Sequence, residues 1–327
     1  MSAGAARVIL AIILCACIFT GCYFDAAYAA ADAAAHVATS GNASDAGRTN
    51  ATDAGGASAI YSGSEKLICR HSDMNEFFAS VRYPRSYAID GNTIAGVVPH
   101  HLTAAALISG FFESCAAAPG GYDTVVIIAT NHAEGFADIV YSRGDWDVFG
   151  EVFHDTEITN ALADIKINGV SIEENNSRVE DDHSASVLVP YIAYYLDGAK
   201  IVPALVSRSL SLDGAVAFAS ALKKIIKESG KRVLLVCSID FSHFLSPAEA
   251  AKNDAATAEA INMLDYGKIH NLSNEYIDSP AALIIFLRYL TELGAAAEII
   301  DNTDASEFIG PGINETTSYF VIRGSVP

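Results

Sequence analysis

The chain has 327 residues, 51% of them hydrophobic, with 20 basic against 39 acidic side chains and a formal charge of -19. That apolar share is enough for a well-buried core and excludes disorder throughout. The negative charge repels nucleic acid and anionic lipid headgroups, so neither is expected as a partner.

At the N-terminus a single positive charge, Arg7, precedes an apolar run from Val8 to Phe19 that ends in small residues. The run is short for a membrane span and has the form of a signal peptide, which predicts export. Phe19-Thr20-Gly21-Cys22 resembles the lipobox of bacterial lipoproteins, in which the cysteine is acylated and becomes the mature N-terminus. An uncleaved anchor helix, or cleavage at a later alanine, are the alternatives. Residues 1–22 are therefore read as a lipoprotein signal peptide with Cys22 as the lipidation site. The protein is expected to be held to the outer face of the cytoplasmic membrane, or in the periplasm, by its lipid alone.

From Tyr23 to Gly63 the chain is rich in Ala, Ser, Asn, Gly and Asp, without a hydrophobic period. This composition reads as a disordered linker. Residues 64–327 form the folded domain. Its cysteines are Cys69, Cys115 and Cys237, and no C-x-x-C pair occurs, so thiolate zinc sites are not expected. In an oxidising compartment Cys69 and Cys115 are candidates for a disulfide, whereas Cys237 lies in an apolar run and reads as a buried thiol.

Within the domain, Thr93–Pro99, Thr124–Thr130, Ile201–Val206 and Arg232–Ser238 read as buried strands. Between them, Thr103–Ala118, Ser184–Leu196 and Asp213–Ser229 have helical apolar periodicity. Two further helices, Pro247–Tyr266 and Pro280–Leu293, precede candidate strands Glu298–Asn302 and Thr317–Arg323. The alternation predicts an α/β fold, a single domain with a mostly parallel central sheet flanked by helices.

Ligands of such sheets bind beyond the carboxyl ends of the strands. Here the first strand runs into His100-His101, the second into Asn131-His132, and the fourth into Asp240 and His243. One histidine after a strand is commonly structural, but three strands delivering imidazole to one edge point to a metal site, and a carboxylate beside two imidazoles leaves positions open on the ion. His154 and His270 fall on predicted surface elements, and His36 and His71 on the linker or its junction, so these four are read as bystanders.

Several segments then resemble one family in sequence order. Val97-Val98-Pro99-His100 resembles the A-P-H-A-G segment of the Memo family, the protein B component of AmmeMemoRadiSam systems. Ile128-Ala129-Thr130-Asn131-His132 is similar to its G-P-S/N-H segment, and Glu180-Asp181-Asp182-His183-Ser184 with Leu188-Val189-Pro190-Tyr191 to its D/E-E-H-S and L-P-Y segments. Val202-Pro203-Ala204-Leu205-Val206 looks like its V-P-V/I-L-V strand, and Ser238-Ile239-Asp240-Phe241-Ser242-His243 like S-S-D-F/L-C/S-H. The resemblance runs from about Cys69 to the C-terminus.

It implies the fold of class III extradiol dioxygenases, with a nonhaem metal held by two histidines and a third ligand. By motif position His100 and His132 are the imidazole ligands. The third ligand of the family is a cysteine ahead of a proline, and the matching stretch here, Tyr276-Ile277-Asp278-Ser279-Pro280, has none. Asp278 either restores a two-histidine, one-carboxylate triad or caps the helix that starts at Pro280, and Ser279 could cap while Asp278 binds. The catalytic candidates are His243, Asp240 and His183. Of these, His243 is suited to acid–base work, and His183 either orients a ligand or sits at a helix N-terminus. His101 competes with His100, which motif register favours.

The resulting expectation is a divalent metal, Fe(II) first and Mn(II), Cu or Zn as alternatives, in an oxidoreductase acting on a small-molecule or peptide substrate. A radical SAM-system partner is implied by the resemblance alone. A binding protein for a small ligand or peptide without turnover, and a metal-assisted hydrolase, are the competing functions.

Overall fold

Four strands of this chain are buried on both faces, which is why their sequences are apolar without alternation. A computed structural model describes residues 65–327 apart from 134, 136 and 311, and these belong to one compact unit. The signal peptide, Cys22, His36 and the linker lie outside the described residues. In chain order the elements are β1 (Lys66–Ile68), α1 (Met74–Arg82), β2 (Thr93–Val98), a 3-10 turn (Leu102–Ala104), α2 (Ala105–Ala116), β3 (Thr124–Thr130), β4 (Ile139–Tyr141), β5 (Asp145–Asp147), β6 (Glu151–Val152), α3 (Thr156–Ala163), β7 (Ile172–Glu174) and α4 (Asn176–Asp181). There follow α5 (His183–Ser186), α6 (Val189–Tyr195), β8 (Lys200–Val206), α7 (Leu212–Ser229), β9 (Val233–Ser238), α8 (Pro247–Asn262), α9 (Tyr266–His270), α10 (Pro280–Leu293), β10 (Ala296–Asp304), α11 (Ser306–Ile309) and β11 (Ser318–Ser325).

The main sheet has eight strands in the order β10-β11-β2-β9-β3-β8-β4-β7, and β1, β5 and β6 form a second, three-stranded sheet. The central run β2-β9-β3-β8 is parallel throughout. Antiparallel pairings of β11 with β2, β10 with β11 and β4 with β8 make the whole sheet mixed. The chain is thus a single α/β domain with a large mixed sheet flanked by helices. Side chains along β3 alternate between two cores. Val126 and Ile128 pack with Phe218 and Leu222 of α7 and Leu283, Phe286 and Leu290 of α10, while Val125, Ile127 and Ala129 pack with Phe111 and Phe112 of α2 and Tyr191 of α6.

Several local expectations are corrected. The helix predicted over Ser184–Leu196 is two helices, because Pro190 is placed in the first turn of α6, where its missing N–H is harmless, and cannot continue α5. The helix predicted over Pro247–Tyr266 stops at Asn262, and Leu264 turns the chain with φ of 52° into α9. Cys69 and Cys115 are not joined: both are free thiols, with Cys115 buried on α2. One close approach fixes a glycine. A Cβ on Gly110 of α2 would stand 1.9 Å from the Arg85 carbonyl oxygen, so the helix meets the α1–β2 connection backbone to backbone.

Candidate metal centre

The parallel strands deliver their following loops to one edge, and four buried polar residues collect there: His100 after β2, Asn131 after β3, Asp240 after β9 and Asp278 ahead of α10. Arg208, just after β8, braces the last of these loops by donating to the carbonyls of Leu272 (2.5 Å), Ile277 (2.6 Å) and Asp278 (2.8 Å). Ser279 caps α10 by accepting from Ala282 N–H. The capping demand is therefore met by Ser279, and the Asp278 side chain is left to face the site.

His100 is buried, and its backbone N–H donates to Asp240 Oδ1 (3.1 Å). Its Nδ1 is 3.2 Å from Ser238 Oγ, and the Ser238 hydroxyl donates its own proton to the Ser184 carbonyl (2.6 Å). The hydroxyl must then accept from Nδ1–H, which leaves a lone pair on Nε2. That lone pair faces Asp278 Oδ2 at 3.3 Å and Asp240 Oδ2 at 3.6 Å. Burial, then the nearby His132, hold the His100 pKa well below its ordinary value, so the ring is neutral.

His132 is held by a different carboxylate. Asp182 Oδ1 accepts from its Nδ1 (2.9 Å) and Asp182 Oδ2 from its backbone N–H (3.0 Å), which again leaves Nε2 free. Burial lowers the His132 pKa, but the Asp182 hydrogen bond and charge outweigh it and the net shift is upward. Asp182 also accepts from Ser184 N–H (3.1 Å) and the Arg178 guanidinium. Burial opposes its ionisation, yet these donors, His132 first, keep its pKa below the usual carboxylate range.

Three imidazoles meet in the centre. The His132 ring lies 5.2 Å from that of His100 at 86° and stacks on that of His183 at 4.2 Å and 27°. One ring nitrogen from each of His100, His132 and His183 lies within 4.8 Å of the others, so the cluster could hold a metal ion. Burial, followed by the other two imidazoles, pushes the His183 pKa down to about 4.

A family model described as Memo-like protein matches residues 61–314. The chain belongs to the Memo-like family. A MEMO1 family protein of Desulfurococcus amylolyticus is 27% identical over 194 residues, covering 58% of this chain and 67% of that one. A MEMO1 family protein of Methanococcoides burtonii is 30% identical over 192 residues, covering 56% and 67%. An uncharacterized protein of Escherichia coli K12, JW3007, has a crystal structure that aligns with a TM-score of 0.49 and 14% identity, over 71% of this chain and 99% of that one.

In this Memo-like protein the donors present suit a divalent metal. Asp278 is buried, its Oδ2 accepts from Asp240 N–H (3.2 Å), and its Oδ1 has no hydrogen-bond partner. Two ligand atoms about 2.1 Å from one ion are about 3.0 Å apart at a right angle and about 3.4 Å apart at the tetrahedral angle. The 3.3 Å between His100 Nε2 and Asp278 Oδ2 falls within that range. Burial, then the Asp240 charge, push the Asp278 pKa up to about 8, so a cation is what would keep it ionised at neutral pH. Burial likewise raises the Asp240 pKa, opposed by His243.

The structure groups His100, His132 and His183, and sets Asp278 and Asp240 against His100. The His243 pKa is lowered, by burial first, and its Nδ1 is buried without a partner. His101 lies outside the three-histidine cluster, its Nδ1 2.6 Å from the Tyr319 hydroxyl. His154 pairs with Asp145 (2.7 Å) and bridges to Ile201 at the amino end of β8, away from the site edge. His270 Nε2 sits 3.3 Å from the Leu210 carbonyl. Of the predicted bystanders, His71 is nearer than expected: its ring lies 6.0 Å from that of His183. Sequence reasoning missed Asp182 and Arg208. An Asp directly before a helix-starting His-Ser pair is an N-cap signal that would have marked Asp182, whereas nothing local marks Arg208.

Proposed function

We propose that this Memo-like protein is a divalent-metal-dependent oxidoreductase, with His100, His132 and Asp278 as ligands and His243 moving a proton. The observation that carries the reading is the facing pair His100 Nε2 and Asp278 Oδ2, 3.3 Å apart, with Asp278 Oδ1 unsatisfied beside them. His100, His132 and Asp278 would hold Fe(II), or Mn(II), which would supply binding of substrate and oxygen when present. The protein's own groups do the remaining work. Ser238 and Asp182 fix the His100 and His132 tautomers, and Arg208 fixes the loop of Asp278. His243 is neutral at pH 7 and so is suited to take a proton from substrate, with Asp240 close enough to favour the imidazolium that forms. The N-terminal sequence adds the proposal that the enzyme works outside the cytoplasm, tethered through an acylated Cys22.

Anaerobic purification followed by elemental analysis tests the reading, together with oxygen-uptake measurements over a panel of small molecules. One divalent transition metal per chain and substrate-dependent oxygen uptake are expected. Absence of stoichiometric metal would overturn the proposal, and metal-dependent turnover without oxygen would replace it with the hydrolase reading.

A further inference from the structure

We infer that His183 is a fourth ligand, so that the ion is held by three imidazoles and one carboxylate. This rests on the proposed metal function and deepens it. The residue stands first in α5, and its ring makes no hydrogen bond among the described residues, with Asp182 Oδ1 no nearer than 4.0 Å. A side chain that is 43% exposed would ordinarily be free to turn outward. Instead it lies over His132 at 4.2 Å and meets the His100 ring edge-on at 5.1 Å and 76°.

The backbone beneath His183 is built into the supports of the other two imidazoles. Asp182 accepts from His132 Nδ1–H and also caps the helix that starts with His183, through Ser184 N–H. The next residue, Ser184, offers its carbonyl to the Ser238 hydroxyl that orients His100, and its own hydroxyl donates to the Thr130 carbonyl at the end of β3 (2.6 Å). Residues 182 to 184 therefore hold three rings to one point. A histidine needed only as a proton carrier would not require its neighbours to orient the two ligands.

A third neutral nitrogen changes which ions the site prefers. Imidazole binds late first-row ions more strongly, whereas Mn(II) and Mg(II) favour oxygen. The centre is thus one for Fe(II), Co(II), Zn(II) or Cu(II) before Mn(II).

Co(II) and Mn(II) titrations of the full chain and of His183→Ala test this without any substrate. The visible Co(II) spectrum reports the ligand set, and thermal melting confirms folding. Loss of His183 should weaken Co(II) at least tenfold, weaken Mn(II) less, and shift the Co(II) bands. His270→Ala, whose ring lies against the Leu210 carbonyl outside the site, should keep the band positions. An unchanged Co(II) affinity and spectrum in His183→Ala would overturn the inference while leaving a metal centre of His100, His132 and Asp278. If the unsubstituted chain binds no Co(II), the proposed function fails and this inference with it.

Discussion

In metal-free protein at pH 8.5, Asp278→Asn should melt above the unsubstituted chain, and added metal should reverse that order. The Asp278 carboxyl is buried, and burial followed by the Asp240 charge lifts its pKa from 3.8 to about 8. Each unit corresponds to about 1.4 kcal/mol, so ionising it inside the metal-free fold costs several kcal/mol. In the unfolded chain it titrates near its ordinary value. Between about pH 4 and pH 8 the native state therefore binds more protons than the unfolded state, and stability falls as pH rises through that window. Asparagine keeps an acceptor for Asp240 N–H but carries no charge, so the slope should disappear. The gain at pH 8.5 should be roughly 5 °C or more, and much smaller near pH 4.

Scanning calorimetry with a chelator across pH 4 to 9 measures this directly, and repeating it anaerobically with Fe(II) or Mn(II) measures ligation. Metal should raise the melting point of the unsubstituted protein and leave Asp278→Asn nearly unmoved, with affinity reduced by more than about a hundredfold, beyond the loss typical of supporting residues. Parallel pH curves for the two proteins would refute the buried carboxylic acid. Equal stabilisation by metal would remove Asp278 from the ligand set. Asp278→Cys should keep the fold and move preference away from Mn(II) toward softer ions.

Asp182→Asn should weaken metal binding about ten- to hundredfold, read by titration, because a neutral amide has one acceptor oxygen where the carboxylate uses two, on His132 Nδ1–H and on its backbone N–H. It should also lower stability at pH 7, and since the Asp182 pKa is depressed in the fold, that deficit should shrink as pH drops below about 4. Gly110→Ala should destabilise by about 1–3 kcal/mol or prevent folding, because its Cβ would meet a backbone oxygen at 1.9 Å, whereas Gly267→Ala, with its nearest contact at 3.6 Å, should leave the melting point nearly unchanged. Cys22→Ser should abolish acyl labelling and release the protein from membranes, and full membrane retention without an acyl chain would favour an uncleaved anchor.

The four central strands and the positions of His100 and His132 could be read from the amino-acid sequence because they are local properties. An apolar run such as Val125 to Ala129 states that both faces of a strand are buried, and the residue that follows such a strand belongs to the site edge. The same kind of local signal marked Asp278 and Ser279 as alternative caps, and the structure gives the cap to Ser279. What periodicity does not encode is which strand lies beside which. Only the packed structure inserts β9 between β2 and β3, and that placement carries Asp240 to His100 across 140 residues. It also sets Asp182 on His132 and turns His183 over the His132 ring, contacts between segments far apart along the chain. The helix break at Pro190 is local, since proline cannot continue α5. Strand order and loop convergence are set by burial summed over the whole domain, so they appear only once its two cores are assembled on the two faces of the sheet.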